Sequence, residues 1–468
     1  MIKAFSEIKA ARLLADIEQK FGLFQLRVYG YSPWRLIRFP VGVALQNLAF
    51  QVPRLSKIAL FCSCVRSLCN LLWLPRARYV VKSFSSALRL RSAIGYEDIY
   101  FEDLLQSLSG GLRMYSLNAG GYEGRKASWR GPQVDVTLVL VVGSLMARLF
   151  PVRSENHIFE QISRAIAGYL PEGEFPPARI RRMFSSFWWQ SKLYCWILRR
   201  IGVSTVLVAD TGERALLKAA RNLNCHFVEL QHGVFTPSHP DSIPYAETID
   251  ASDVGLLLPD LIATYGRYWV GIHSPTLLGR AGRVMSVGAS FMERLRLKKK
   301  ESVGERNFQL LVTTQGLART ELIKVLREFL EVCAVPVDLT IKLHPTYDVS
   351  LEPYLEVFGQ DDRVKVISGR DNPHTYSLLL GADLHLSISS TCHYDSIGLM
   401  IPTVVLALPS YEIVINLVQA GEACLVHNGS ELAKVVALKA WKELNPDMAN
   451  KYYRPGFVSN ILELIKQE

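Results

Sequence analysis

The segment VSTVLVADTGERALLKAARNLNCHFVELQHG, residues 203–233, constrains the fold more than any other stretch of the chain. A β-branched run ends at Asp210, Thr211 and Gly212 turn the chain, a helical pattern starts near Glu213, and a second apolar run ends at His232. Two strands joined by a helix of this length form a βαβ unit, which commits the chain to a parallel sheet covered on both faces. An imidazole followed at once by a glycine does not suit a buried strand, so Gln231, His232 and Gly233 read as a strand-to-loop exit. Asp210 leaves the first strand on the same edge, where open parallel sheets bind their ligands. Taken alone, His232 reads equally well as a hydrogen-bonding loop histidine.

The same rhythm continues in DLIATYGRYWV (260–270) and RVMSVGASF (283–291), two further strands. A charged stretch with little apolar periodicity, 292–307, then interrupts it. Beyond that point FQLLVTTQG, VDLTIKLHP and LHLSISSTCHYDSIG restart the alternation of strand and helix. A single core stops growing near ~250–300 residues, and this chain has 468. The expectation is an α/β protein with a basic amphipathic region at 1–92, a first domain at 93–291, a linker at 292–307, a second domain at 308–440 and a closing helix at 441–468.

Charge separates the N-terminal region from the rest. Residues 1–92 hold fifteen Lys and Arg against only Glu7, Asp16 and Glu18, a net +12, so the rest of the chain sums to −2 within the overall +10. The longest charge-free run in this region, 41–53 with Phe39 and Pro40 before it, is too short to span a bilayer and contains proline. With Trp34 and Trp73 nearby, the region reads as surface-lying on an anionic membrane, although an ordinary helical core with a basic rim fits the same pattern. Nucleic acid is not expected as a partner, because the aromatics sit in apolar runs and no recognised nucleic-acid motif appears. The eight cysteines match no zinc or redox spacing, which suggests reduced, mostly buried thiols. With no secretory signal in view, the expected location is the cytoplasm, peripheral on the inner face of the membrane.

The second domain also places polar residues at strand ends. TIKLHP ends at His344 and Pro345, LLVTTQG at Thr314, Gln315 and Gly316, and LHLSISST at Ser389, Ser390 and Thr391 ahead of a helix. Hydroxyl residues at a helix start cap it and leave backbone N–H groups able to meet an anion, so these three strand ends together suggest a phosphate cradle. Plain capping explains Ser390 and Thr391 individually. No GxxxxGK[ST], GxGxxG or GxSxG pattern is present, and the ten histidines show no metal-ligand spacing, so no metal is expected.

The set LQHG at 230–233, KLHP at 342–345 and SSTCHYDSIGLMIP at 389–402 resembles bacterial surface-polysaccharide transferases of the GT-B fold. That group includes capsule Kdo-transferase-like proteins, polysialyltransferases and CDP-glycerol polyol-phosphate transferases. The resemblance spans roughly 203–428. It implies two Rossmann-like domains facing a cleft and a metal-independent glycosyltransferase. The implied donor is a nucleotide-activated, CMP-linked sugar bound as substrate with no further cofactor, and the acceptor is a glycan or lipid-linked molecule. On this resemblance His344 and the loop 389–391 would grip the donor phosphate, with Lys342 beside them. Asp395, where the family often has Glu, would orient ribose or a loop hydroxyl. His232 would take the acceptor proton, with Asp210 or Glu213 orienting it or acting as the base. Rival readings are a CDP-polyol phosphotransferase, a sugar-nucleotide 2-epimerase and a non-catalytic assembly partner.

Overall fold

The computed structural model describes residues 7–46, 56–92, 94–117, 126–153, 155–171, 173–209, 212–244, 249–299, 306–345 and 347–466. In chain order the strands are β1 (Tyr79–Phe84), β2 (Leu88–Ser92), β3 (Gly95–Asp98), β4 (Gly111–Ser116), β5 (Gln133–Asp135), β6 (Thr205–Val208), β7 (His226–Leu230), β8 (Leu261–Thr264) and β9 (Val284–Ser286). The second half adds β10 (Phe308–Thr313), β11 (Val337–Lys342), β12 (Val364–Ile367), β13 (Leu384–Ser387), β14 (Thr403–Leu406) and β15 (Cys424–Val426). Two all-parallel sheets result, ordered β5-β4-β1-β6-β7-β8-β9 and β12-β11-β10-β13-β14-β15. β2 and β3 form a separate antiparallel hairpin.

Alternation along each strand sends side chains to opposite faces. Val80, Val206, Val208 and Phe227 join one core, while Val81, Leu207 and Val228 join the other. The first core packs under helices α1 (Glu7–Phe21), α2 (Pro33–Leu45), α5 (Thr137–Leu149), α6 (Asn156–Ala167), α7 (Pro177–Ile201) and α8 (Arg214–Arg221), with α3 (Lys57–Leu72) and α4 (Glu102–Ser107) completing the series. The second core is shared by both sheets, because Leu311 and Val405 pack in it alongside Leu207 and Val228. The closing helices 446–452 and 457–466 cross back onto the first half. There Tyr453 stacks on Tyr265 at 5.3 Å and Trp269 donates to the Tyr452 carbonyl at 3.1 Å. Gly266 makes this crossing possible, since a Cβ there would lie 2.5 Å from the backbone of Lys451 and Tyr452.

Several expectations are revised. β1 lies before residue 93 yet sits in the middle of the first sheet, so a partition at 92/93 cuts through the fold. Residues 292–298 continue a helix begun at Ser290 that buries Phe291, Met292 and Leu295, whereas residues 300–305 lie outside the described residues. The segment α2 is not surface-lying. Trp34 is fully buried and donates to Glu18, and Arg38 is buried against the same carboxylate at 2.5 Å. A single acid on α1 thus neutralises a cation that the sequence pattern presents as solvent-facing. The thiols are mostly not buried either: Cys62 and Cys69 are exposed, and only Cys225 is fully enclosed. No helix among the described residues is long and apolar enough to cross a membrane.

Candidate functional site

Every strand end singled out above opens on the C-terminal edge of its sheet. β7 stops at Leu230, and the next three residues form the exit. Gln231 is fully buried; its Oε1 accepts from the Tyr265 amide at 3.0 Å and its Nε2 donates to the Gly233 carbonyl at 2.8 Å, so it locks the turn that presents His232. The His232 carbonyl accepts from the Tyr100 hydroxyl at 3.1 Å, and its ring meets Phe235 edge-on. Its Nδ1 is buried without a hydrogen-bond partner among the described residues.

The ring faces a cavity of about 550 Å³ lined also by Arg35, His239, Arg214 and Asp241. Arg35 reaches it from α2 and donates to Asp241 at 3.1 Å, while Arg214 meets the same carboxylate at 3.2 Å. Burial, with Arg214 close by, pushes the Arg35 guanidinium down to about 9, so it stays charged near neutrality. Burial pushes His239 down to about 4, against the opposing pull of Asp241. Asp241 bridges the two buried cations, and the buried Glu229, 3.9 Å from Arg214, balances the second of them.

Of the other proposed bases, Asp210 lies outside the described residues. Glu213 sits at the start of α8, where the buried Lys82 ammonium engages its carboxylate and also lies 3.3 Å from the Ser116 hydroxyl. The carboxylate thereby compensates the charge of the buried lysine.

On the second sheet the loops are cross-braced. Gln315 Oε1 accepts from both the amide and the hydroxyl of Ser389 at 3.1 Å, tying the β10 exit to the β13 exit. Gly316 has φ +70°, and a Cβ there would lie 2.3 Å from the Tyr347 carbonyl, so only glycine lets the β10 exit approach the loop after β11. Ser390 Oγ accepts from the Cys392 amide at 3.2 Å, but the Thr391 side chain makes no cap at the helix 392–398, contrary to expectation.

His344 stacks on Tyr347 at 4.2 Å, and its Nδ1 accepts from the Tyr347 amide at 3.0 Å. That bond places the proton of the neutral ring on Nε2, a donor suited to phosphate oxygen. Burial, then the charge of Arg89, pushes the ring down to about 4. Lys342 is turned to another purpose: its ammonium donates to the carbonyls of Ser368 and Asp371 at 2.7 Å, which anchors the loop after β12. Asp395 is buried and accepts from the Tyr453 hydroxyl at 2.5 Å; burial pushes its carboxyl up to about 7, with Tyr453 and Arg89 opposing.

Four residues were missed by motif reading. Arg89, on the β2–β3 hairpin of the first half, acts electrostatically on His344, Cys392 and Asp395 of the second, so it brings a cation to the donor-side loops. Asp348 is fully buried and accepts from Thr314 Oγ1 at 2.6 Å, Tyr354 at 2.7 Å and Arg319 at 2.6 Å. It holds the His344 and Thr314 loops together. Below them His385 links Thr313 at 2.9 Å to Thr403 at 2.8 Å, and His393 meets the same threonine hydroxyl at 2.7 Å. Nothing in the strings LRLRS or TYDVS marks Arg89 or Asp348 in advance. Among the described residues no group of three or more His, Cys, Asp or Glu side chains is arranged to hold a metal ion.

No family model matches the sequence, and no curated protein matches it. Solved structures do. A protein from Listeria monocytogenes assigned as a UDP-N-acetylglucosamine 2-epimerase is 14% identical, covers 84% of this chain and 96% of its own, and superposes with a TM-score of 0.50. MurG from Acinetobacter baumannii is 10% identical over 84% of this chain and 100% of its own, TM-score 0.45. A variant of the wall teichoic acid polymerase TagF is 11% identical over 88% and 98%, TM-score 0.46. The likeness to the Listeria protein speaks for the fold alone: two Rossmann-like α/β domains facing each other, the GT-B architecture.

Proposed function

We propose that this chain is a glycosyltransferase of bacterial surface-polysaccharide synthesis. It moves a sugar from a nucleotide-activated, CMP-linked donor held by the second half to an anionic glycan or lipid-linked acceptor held by the first. The observation that carries this reading is the cavity of about 550 Å³ around His232 and Arg35, on the half opposite the braced His344 loops. A transferase needs one site for each substrate, whereas an epimerase acts on a single nucleotide sugar.

In the proposed reaction His232 accepts the proton of the acceptor hydroxyl as that oxygen bonds to the anomeric carbon. The bond from that carbon to the donor phosphate oxygen breaks, and the electron pair leaves with the nucleotide. His344 Nε2–H and the Arg89 cation meet the charge that gathers on the departing phosphate. Ser389, Ser390 and Thr391 lie beside that phosphate, with Thr314, Gln315 and Gly316 shaping the neighbouring wall, and Asp395 holds the loop through Tyr453. Work at the cytoplasmic face of the membrane follows from a lipid-linked acceptor and a nucleotide donor.

Incubating the purified protein with labelled CMP-sugars, with and without polysaccharide or lipid-linked acceptors, tests the reading. Acceptor-dependent release of CMP supports it, and His232→Ala then lowers turnover by about 10²–10⁴-fold. A change in a nucleotide sugar without any acceptor points to the epimerase instead, and release of CMP from a CDP-polyol points to the phosphotransferase.

A further inference from the structure

Helix α3 is built inside out. The residues it turns toward the body are polar: Ser63 Oγ donates to Asp135 at 2.6 Å and meets Thr137 at 2.9 Å. Ser67 Oγ accepts from the Leu138 amide at 3.2 Å, and Asn70 accepts from the Asp135 amide at 2.8 Å. Positions 63, 67 and 70 share one helical face, so this seam is continuous. The opposite face carries Ile58, Phe61, Val65, Leu68 and Leu72, all exposed, with Ile58 76% and Phe61 69% accessible. Trp73, immediately after the helix, is 85% accessible. A helix that docks through serines and offers its apolar face to solvent is arranged the opposite way from a surface helix of a globular protein.

The neighbouring helix α5 extends the surface with exposed Leu145, Leu149 and Phe150. Charge then selects the occupant. No Asp or Glu occurs between Glu18 and Glu97, between Asp135 and Glu155, or between Glu174 and Asp210. These intervals contain the whole of α3, α5 and α7, while Lys57, Arg66, Arg76, Arg148, Arg199 and Arg200 stand exposed in or beside those helices. An apolar stripe with a tryptophan at its end, beside exposed cations and with its one contacting acid, Asp135, buried, matches the acyl boundary and headgroups of an anionic leaflet. A protein partner would more often bring and meet charges of both signs.

We infer that α3, with Trp73 and the exposed end of α5, lies in the surface of an anionic lipid bilayer as a monotopic anchor. The inference is independent of which nucleotide the protein binds. It assigns the membrane contact to α3, whose apolar side faces outward, and not to α2, whose tryptophan and arginines are consumed in the core.

Flotation of the full chain with vesicles of phosphatidylglycerol and phosphatidylcholine, or of phosphatidylcholine alone, tests it. The expected result is partition onto the anionic vesicles. Phe61→Ser combined with Leu68→Ser, and Trp73→Ser alone, each weaken this by about tenfold or more, while circular dichroism and nucleotide binding in solution are unchanged. Because the substituted side chains are exposed, folding does not depend on them. Unchanged partition of both variants, absence of wild-type binding, or equal binding to neutral vesicles overturns the inference. So does a self-association in vesicle-free solution that the same substitutions abolish, which assigns the face to a second copy of the chain.

Discussion

Removing one carboxylate, by Asp348→Ala, should loosen the His344 loop. The Asp348 side chain is inaccessible to solvent and accepts from Thr314, Tyr354 and Arg319. Each buried hydroxyl left without an acceptor costs about 1–3 kcal/mol. Thr314 and Tyr354 lie close enough to recover part of this by bonding to one another. Arg319 is about a third exposed and can turn to water, so its ion pair is discounted. The balance is about 3 kcal/mol, on the order of a hundredfold in the local opening equilibrium. Hydrogen exchange reads it at the Tyr347 amide, whose bond to His344 Nδ1 breaks when the loop opens. Exchange there should rise by about that factor, Tyr354→Phe should give a rise of only about fivefold, and nucleotide affinity should fall with the loop's order. Wild-type protection of the Tyr347 amide in Asp348→Ala would show that the carboxylate does not hold the two loops, and the reasoning would fail.

Other consequences are equally direct. Glu213→Gln strands the Lys82 ammonium in the core and should cost about 3–5 kcal/mol in urea unfolding, most of it recovered by adding Lys82→Met; equal stability of the single and double variants would contradict this pairing. His273 and His393 are buried and held down to about 4 and about 3, mainly by burial. Their folded values lie below the unfolded value near 6.5, so the unfolded chain binds the extra protons and stability falls as pH drops from about 6.5 towards those values. Each contributes about 2 kcal/mol of loss between pH 7 and pH 5, measurable as a falling urea midpoint. Arg89→Ala should move the His344 ring upward from about 4 in an NMR titration, by the smaller part of the shift because burial is the larger cause. An unmoved ring would remove Arg89 from the donor-side loops.

Strand exits were legible because a buried strand admits few residue types, so Gln231-His232-Gly233, His344-Pro345 and Ser389-Ser390-Thr391 stand out against their apolar runs. Parallel pairing followed from the same alternation, and each of these exits begins within two residues of a strand's end. What could not be read were pairings made across long separations. Glu18 neutralises Arg38 from another helix, Glu213 answers Lys82 from 131 positions away, and Arg89 acts on residues of the other half. Such pairings decide whether a cation is core or surface, and a local window contains only one partner. The orientation of α3 was hidden in a related way. The spacing of its apolar residues marks a helix face, but only the serines bonded to Asp135 and Thr137 show which face turns inward. Glu213 looked like a free base for the same reason, since Lys82 lies on a strand far away in sequence.

Calorimetric titration of CMP, CDP, UDP and GDP into the wild-type protein, His344→Ala and His232→Ala tests the division of labour most directly. The account predicts that cytidine nucleotides bind the wild type, that His344→Ala abolishes this binding, and that His232→Ala retains it while losing turnover. Equal loss of nucleotide binding in both variants, or no binding by the wild type, would contradict a donor site on the second half facing an acceptor site on the first.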